Sequence, residues 1–217
     1  MPKVTSVEPQ KNKPHRFNIF LDGEFAFGAD EDLVVEHRLV VGKIIEAGEL
    51  EKILFDAEIG KLMGKMYRLF NIRQRSEKEV RDYFRIKNYE LRIKGKEQHG
   101  ELVVNATVNT LKKKGLIDDE RFARDWMQAR SKKYGPLRIK QELFKKGINR
   151  EIIEEVISSG FMSHDQEVPQ KLLEKKMKVW KNLPYLELKK KAYEYLLRRG
   201  FEYSIVKETV EKYTKKD

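Results

Sequence analysis

The sequence predicts a mainly α protein: three tandem three-helix repeats forming an elongated curved body, preceded by a small α/β N-terminal domain with a β-hairpin. Three observations predict it. Residues 16–27 alternate across Asp22-Gly23, and Asp-Gly accepts the positive φ angles that a tight hairpin needs. From residue 61 onward the apolar residues recur only at helical spacing. A glycine-centred junction appears twice, as KKGINREII at 145–153 and as RRGFEYSIV at 198–206.

The head spans residues 1–60. Val4-Thr5-Ser6-Val7 reads as a short strand, and Arg16 to Leu21 pairs with Glu24 to Phe27 in the hairpin. Residues 30–38 read as a short helix with acids in its first turn, where they complement the helix dipole. Residues 46–71 read as one or two further helices running into the body.

In the body, Ser76 is placed to cap a helix, with Glu79 reaching back in a capping box. Val80, Tyr83 and Phe84 form that helix's apolar stripe. Pro136 suits the first turn of a later helix, whose buried face is expected from Ile139, Leu143 and Phe144. Gly147 can end it in a left-handed cap with Ile148 folding back. Asn149 then caps a helix carrying Ile152, Ile153, Val156 and Ile157. Leu183-Pro184 plays a similar starting role later.

A shift of 53 residues aligns Ile139 with Ala192, Leu143 with Leu196, Gly147 with Gly200, Ile148 with Phe201, Ile152 with Ile205 and Ile157 with Val210. A shift of 59 aligns Val80 with Ile139, Phe84 with Leu143 and Tyr89 with Ile148. Gly115-Leu116 falls over Gly160-Phe161, closing a third helix. The repeats therefore run over 61–117, 118–161 and 165–217, the first with a loop insertion at about 92–102. A three-helix unit of this size buries too little surface alone, so nine helices stacked in tandem are expected. Such arrays present extended surfaces to macromolecules more often than pockets to small molecules.

Composition bounds the function. Of 217 residues, 37% are charged and the net charge is +11. Residues 1–60 hold 7 Lys/Arg against 12 Asp/Glu, a balance of −5, which leaves +16 for the rest. That field favours a polyanion partner, with solubility charge as the competing reading. The absence of cysteine removes disulfides and thiolate chemistry. No signal-peptide pattern opens the chain, and apolar runs such as Leu39-Val40-Val41 are far too short to cross a bilayer. A cytoplasmic protein without membrane contact is expected.

No catalytic constellation emerges. His15, His37, His99 and His164 sit in unrelated segments without metal-ligand spacing. Asp118-Asp119-Glu120 explains itself as a helix start. The expectation is a non-enzyme without cofactor or metal. Phe122, Trp126, Tyr134, Trp180, Tyr193 and Tyr195 read as mostly core. Cations recur near helix ends, where the dipole favours them whatever the function; the collective excess points to a basic face shared between repeats.

Residues 115–148, GLIDDERFARDWMQARSKKYGPLRIKQELFKKGI, resemble the signature of the RecX family, bacterial regulators of the recombinase RecA. Arg75 to Val80 reinforces the match, and RFNIFLDGEFAFGADED in the head resembles the N-terminal extension of Firmicute-type members. The resemblance implies three tandem three-helix repeats. It implies a protein that binds RecA and the RecA–DNA filament and inhibits recombinase, ATPase and co-protease activities; a monomer is the default expectation, since the sequence does not fix the oligomeric state. These belong to homologous recombination, DNA repair and the SOS response. It also implies direct contact with single- and double-stranded DNA. The residues in or beside the motif become the candidate contacts: Arg121, Arg124, Arg130, Lys132, Lys133, Arg138, Lys140, Lys145 and Lys146. The alternative is a sequence-independent DNA-binding helical-repeat protein that acts without RecA, and a third is a scaffold with a protein-only interface.

Overall fold

A computed structural model describes residues 1–11, 13–161 and 167–214. The chain opens with three strands, β1 (Val4–Gln10), β2 (Lys13–Leu21) and β3 (Glu24–Asp30). They form an antiparallel sheet in the order β1-β2-β3. The β2–β3 turn has Asp22 at φ 50° and Gly23 at φ 90°, the paired positive angles that the Asp-Gly dipeptide supplies. The Asp22 carboxylate also accepts from the Lys3 amide at 3.0 Å, tying the turn to the start of β1.

Asp30 caps α1 (Glu31–Glu36), its carboxylate accepting from the Leu33 amide at 3.0 Å. One continuous helix, α2 (Ala47–Phe70), follows. Ile53 and Ala57 on α2 bury against the sheet with Val4, Ile19 and Leu39. Leu62, Met63 and Met66 bury against the next helices with Val80, Phe84 and Leu111. Residue 60, where the head is expected to end, therefore lies within a helix that serves both cores.

Eight more helices complete the described residues: α3 (Glu77–Ile93), α4 (Glu101–Lys113), α5 (Asp119–Ser131), α6 (Pro136–Lys145), α7 (Arg150–Gly160), α8 (Glu167–Trp180), α9 (Tyr185–Arg198) and α10 (Tyr203–Thr214). With the second half of α2 they make the nine expected after residue 61. His164 and parts of the 165–217 repeat lie outside the described residues. The chain divides into two compact units. The first holds residues 1–75 and 80–117; the second holds residues 76–79 and 118–217.

In the second unit the 53-residue alignment holds in three dimensions. Ile139 and Ala192, Leu143 and Leu196, Ile148 and Phe201, and Ile157 and Val210 are all buried. Gly147 and Gly200 sit at φ 78° and 81°, and the Ile148 and Phe201 amides fold back to the Leu143 and Leu196 carbonyls. Each glycine is thus the left-handed end of its repeat's second helix.

Three expectations need correction. Phe144 is not part of the buried face but 72% exposed. The inward stripe of α6 is complete with Ile139 and Leu143, sealed by Ile148 beyond the cap. Phe144, about 100° further round, falls off that stripe, on the side that carries Lys140. Tyr89 does not match Ile148: it is exposed and still helical. At the position of Gly147 the first repeat has Asn88, so no left-handed cap forms and α3 continues to Ile93. The Asn88 amide instead exchanges two hydrogen bonds, both 2.9 Å, with the backbone of His99. That clamp fixes the link between α3 and α4, which spans only residues 94–100. Finally, Gly115 is a left-handed cap at φ 67°, whereas Gly160 is the last helical residue of α7. The end of the Met127 side chain occupies the place that a Cβ at Gly160 would take, so this glycine answers to side-chain packing and not to φ.

Candidate functional site

The nine candidate cations divide by what their side chains do. Arg130 and Arg138 are structural within the second unit. The Glu142 carboxylate accepts from Arg130 Nε at 2.9 Å and Nη2 at 2.6 Å, from Trp126 Nε1 at 3.0 Å and from Arg138 Nε at 3.2 Å. Both guanidinium groups lie 4.4 Å from the centroid of the Tyr134 ring. Burial alone would push the Glu142 carboxyl up. The hydrogen bonds from Arg130, Trp126 and Arg138 outweigh it and hold the group below the usual carboxylate value.

Other candidates are engaged more loosely. Arg124 pairs with Glu120 and reaches Glu155 at 3.6 Å. Lys140 pairs with Glu154 at 2.5 Å, which lowers that carboxyl. Arg121 is exposed in the first turn of α5, and its amide donates to the Asp118 cap. Lys132, Lys133 and Lys145 are exposed, and their ammonium groups meet no acid among the described residues.

The paired cations of the two junctions split in the same way. The first of each pair, Lys145 or Arg198, is exposed. The second turns inward. Lys146 pairs with Glu79 and lies 5.0 Å from the Trp126 ring centroid. Arg199 lies 4.8 Å from the Tyr195 centroid and 5.5 Å from that of Tyr134, and donates to the Lys133 carbonyl at 2.7 Å. The carbonyls match too. Lys146 O accepts from the Ser76 hydroxyl at 2.7 Å, and Arg199 O accepts from the Gly135 amide at 2.9 Å. Each acceptor meets a helix cap of the second unit: Ser76 caps α3, and Gly135 caps α6. Of the two basic residues before each glycine, then, one packs within the second unit and one faces water.

The exposed Phe144 gives the water-facing set a centre. With Lys140, Gln141, Lys145, Arg150, Ile153 and Glu154 it lines a shallow, mainly apolar hollow of about 380 Å³. A large exposed aromatic ringed by cations suits docking to another macromolecule rather than chemistry. Sequence reading missed Phe144 and Arg150 as site residues. The available signal was that Phe144 lies four residues from Lys140, off the Ile139–Leu143 stripe. No group of three or more possible metal ligands converges among the described residues, and no described helix is long and apolar enough to cross a membrane.

Residues 2–46 match the model of the regulatory protein RecX N-terminal domain, residues 118–157 the RecX second three-helix domain and residues 165–210 the RecX third three-helix domain. The regulatory protein RecX of Bacillus licheniformis is 31% identical over 95% of this chain and 75% of its own. That of Clostridium acetobutylicum is 29% identical over 95% and 94%. A crystal structure of a regulatory protein RecX superposes with a TM-score of 0.73 at 25% identity, covering 98% of this chain and 100% of that one.

Proposed function

The chain belongs to the RecX family of regulatory proteins, and from that premise we propose that it binds RecA and the RecA nucleoprotein filament and inhibits recombinase, ATPase and co-protease activities. The observation that carries the reading is family membership across nearly the whole chain. What gives it a site is the second unit's exposed chemistry: Phe144 with Lys140, Lys145 and Arg150 beside it, and Lys132 and Lys133 without an acid partner among the described residues. Such a surface acts by occupancy. Its cations draw an acidic protein face or a phosphate backbone, and an aromatic at the centre excludes water from the interface.

The test is RecA-driven ATP hydrolysis on single-stranded DNA with the purified protein added. Wild type should suppress hydrolysis, and Lys132→Glu/Lys133→Glu/Lys145→Glu should not, while keeping the same helical signal. Suppression by the triple variant equal to wild type would remove these residues from the interface. Arg138 is a poor choice for such a variant, since reversing it also breaks the Glu142 network.

The net charge of +11 favours a second reading, a DNA-binding helical protein that needs no RecA. Salt titration of binding to bare and to RecA-coated DNA separates the two. Steeply salt-dependent binding to bare DNA with no preference for coated DNA supports the second.

A further inference from the structure

The first unit carries a feature that the RecA reading does not use. Gln10 at the end of β1, Lys13 and Arg16 on β2, Phe25 and Gly28 on β3, and Lys61, Gly64, Lys65 and Arg68 on α2 line an open hollow of about 500 Å³. Five of its nine lining residues are cations and none is acidic. None of the five forms a hydrogen bond or ion pair with a carboxylate among the described residues; Arg16 donates instead to the Gly28 carbonyl at 3.2 Å. Elsewhere Arg124, Arg130, Arg138, Lys140 and Lys146 each hold a carboxylate, and the cations that do not, such as Lys132, Lys133 and Lys145, are exposed rather than gathered in a hollow. Convergence of unneutralised cations in a concave site is electrostatically unfavourable until an anion enters, and concavity focuses the field.

We propose that this hollow binds single-stranded nucleic acid, its cations taking successive backbone phosphates and Phe25 an unpaired base. Two features select a strand over a free anion. Lys61, Lys65 and Arg68 lie four and three residues apart on one helix face, about 10 Å from first to last, a row of positive charge along which successive phosphates of a strand can lie, whereas one free phosphate meets only part of it. Phe25 is 59% exposed at the edge of the hollow, braced from beneath by Phe20, whose ring meets it edge-on at 5.9 Å. A base stacks on such a ring whatever its identity. The glycines are what keep the site open. A Cβ at Gly28 would come within 3.0 Å of Gln10 Nε2 and 3.6 Å of Arg16 Nη2, and at Gly64 it would point into empty space. Crowding among the cations is visible at Lys65: burial first, then the charges of Lys61, Lys87 and Arg68, outweigh the attraction of Glu58 and push its ammonium below the ordinary lysine value.

The test uses the full chain, without RecA, and a fluorescein-labelled oligothymidylate followed by anisotropy across a salt series. Gly64→Leu removes no charge and places a better helix former in α2, but fills the hollow. Strand affinity should then fall about tenfold or more, because the backbone can no longer approach the cations on either side. Lys61→Gln/Arg68→Gln should flatten the log–log salt slope by about 1.4, as two cations fewer neutralise phosphates of a single strand. Phe25→Leu should weaken binding about fivefold or more, and inorganic tripolyphosphate should compete poorly. A folded Gly64→Leu variant with wild-type affinity, or an unchanged salt slope in the double variant, overturns the site. Tripolyphosphate competing as well as the strand, with Phe25→Leu silent, overturns the strand as occupant. Because RecA is absent, failure here leaves the RecA reading standing, and failure of the RecA assay leaves this one.

Discussion

The Gly135 amide donates to the Arg199 carbonyl at 2.9 Å, and two residues on the Leu137 amide donates to the Gly200 carbonyl at 3.1 Å. The N-terminal amides of a helix have no partner within it; here the junction after α9 supplies carbonyls to the start of α6. The same junction carries a second constraint. Gly200 has φ 81°, and a Cβ there would lie against the Arg138 backbone and 2.5 Å from its Cβ.

Gly200→Ala therefore meets both backbone strain and collision. The left-handed angle alone costs about 1–2 kcal/mol, and collision with a backbone that cannot turn aside adds to it. Gly115→Ala isolates the first cost, since Gly115 has φ 67° and nothing within 4 Å of a Cβ. Urea denaturation should place Gly115→Ala about 1 kcal/mol below wild type and Gly200→Ala at least about 2 kcal/mol below it. Equal losses would mean that the junction yields and the close approach carries no weight.

Glu142 is the acceptor on which Trp126, Arg130 and Arg138 converge, and its side chain is 18% exposed. Removing it leaves two guanidinium groups over Tyr134 without their anion. Glu142→Ala should cost about 3 kcal/mol, as for breaking a partly buried pair. Because its folded-state carboxyl is held below the unfolded value, the stabilisation is complete above the ordinary glutamate range of about 4.3. It is lost as pH falls through the lower folded value. The stability difference between wild type and Glu142→Gln should therefore shrink below about pH 4; a difference constant with pH would show that the charge of Glu142 is not what holds the joint.

These residues also show what the sequence makes legible. The repeat register, the Asp22-Gly23 turn and the caps at Asp118, Asn149 and Gly147 are local chemistry, determined by neighbours within a few residues. The fate of the cations is not local. Arg130 and Lys132 look alike in sequence, yet one reaches Glu142 twelve residues on and the other faces water. Phe144 and Tyr89 depart from expectation for a related reason: burial depends on which helix arrives opposite, and on whether a glycine or an asparagine ends the turn.

Tyr213 offers an independent probe of the third repeat. Burial first, and then its hydrogen bond to the Glu174 carboxylate, push the phenol up to about 12. The neutral phenol is favoured in the fold, so its contribution is complete below the unfolded value of about 10. It disappears as pH rises toward 12. An absorbance titration at alkaline pH should show late ionisation among the nine tyrosines, Tyr193 being pushed up by burial as well, and Tyr213→Phe should abolish the step near 12. A step near 12 that survives the substitution would belong to another residue.

Phe144 separates stability from recognition. Its neighbour Leu143 is fully buried, so Leu143→Ala should cost about 2–5 kcal/mol. Phe144 has most of its ring in water, so Phe144→Ser should leave the unfolding free energy within about 0.5 kcal/mol of wild type. If the ring centres the interface with RecA, the same variant should lose inhibition of ATP hydrolysis by an order of magnitude, about 1.4 kcal/mol of binding. The matched position in the third repeat, Leu197, is also exposed, and Leu197→Ser tests whether the interface extends there. An unfolding loss for Phe144→Ser near that of Leu143→Ala would return the ring to the core; intact inhibition in a stable Phe144→Ser variant would move the RecA interface elsewhere.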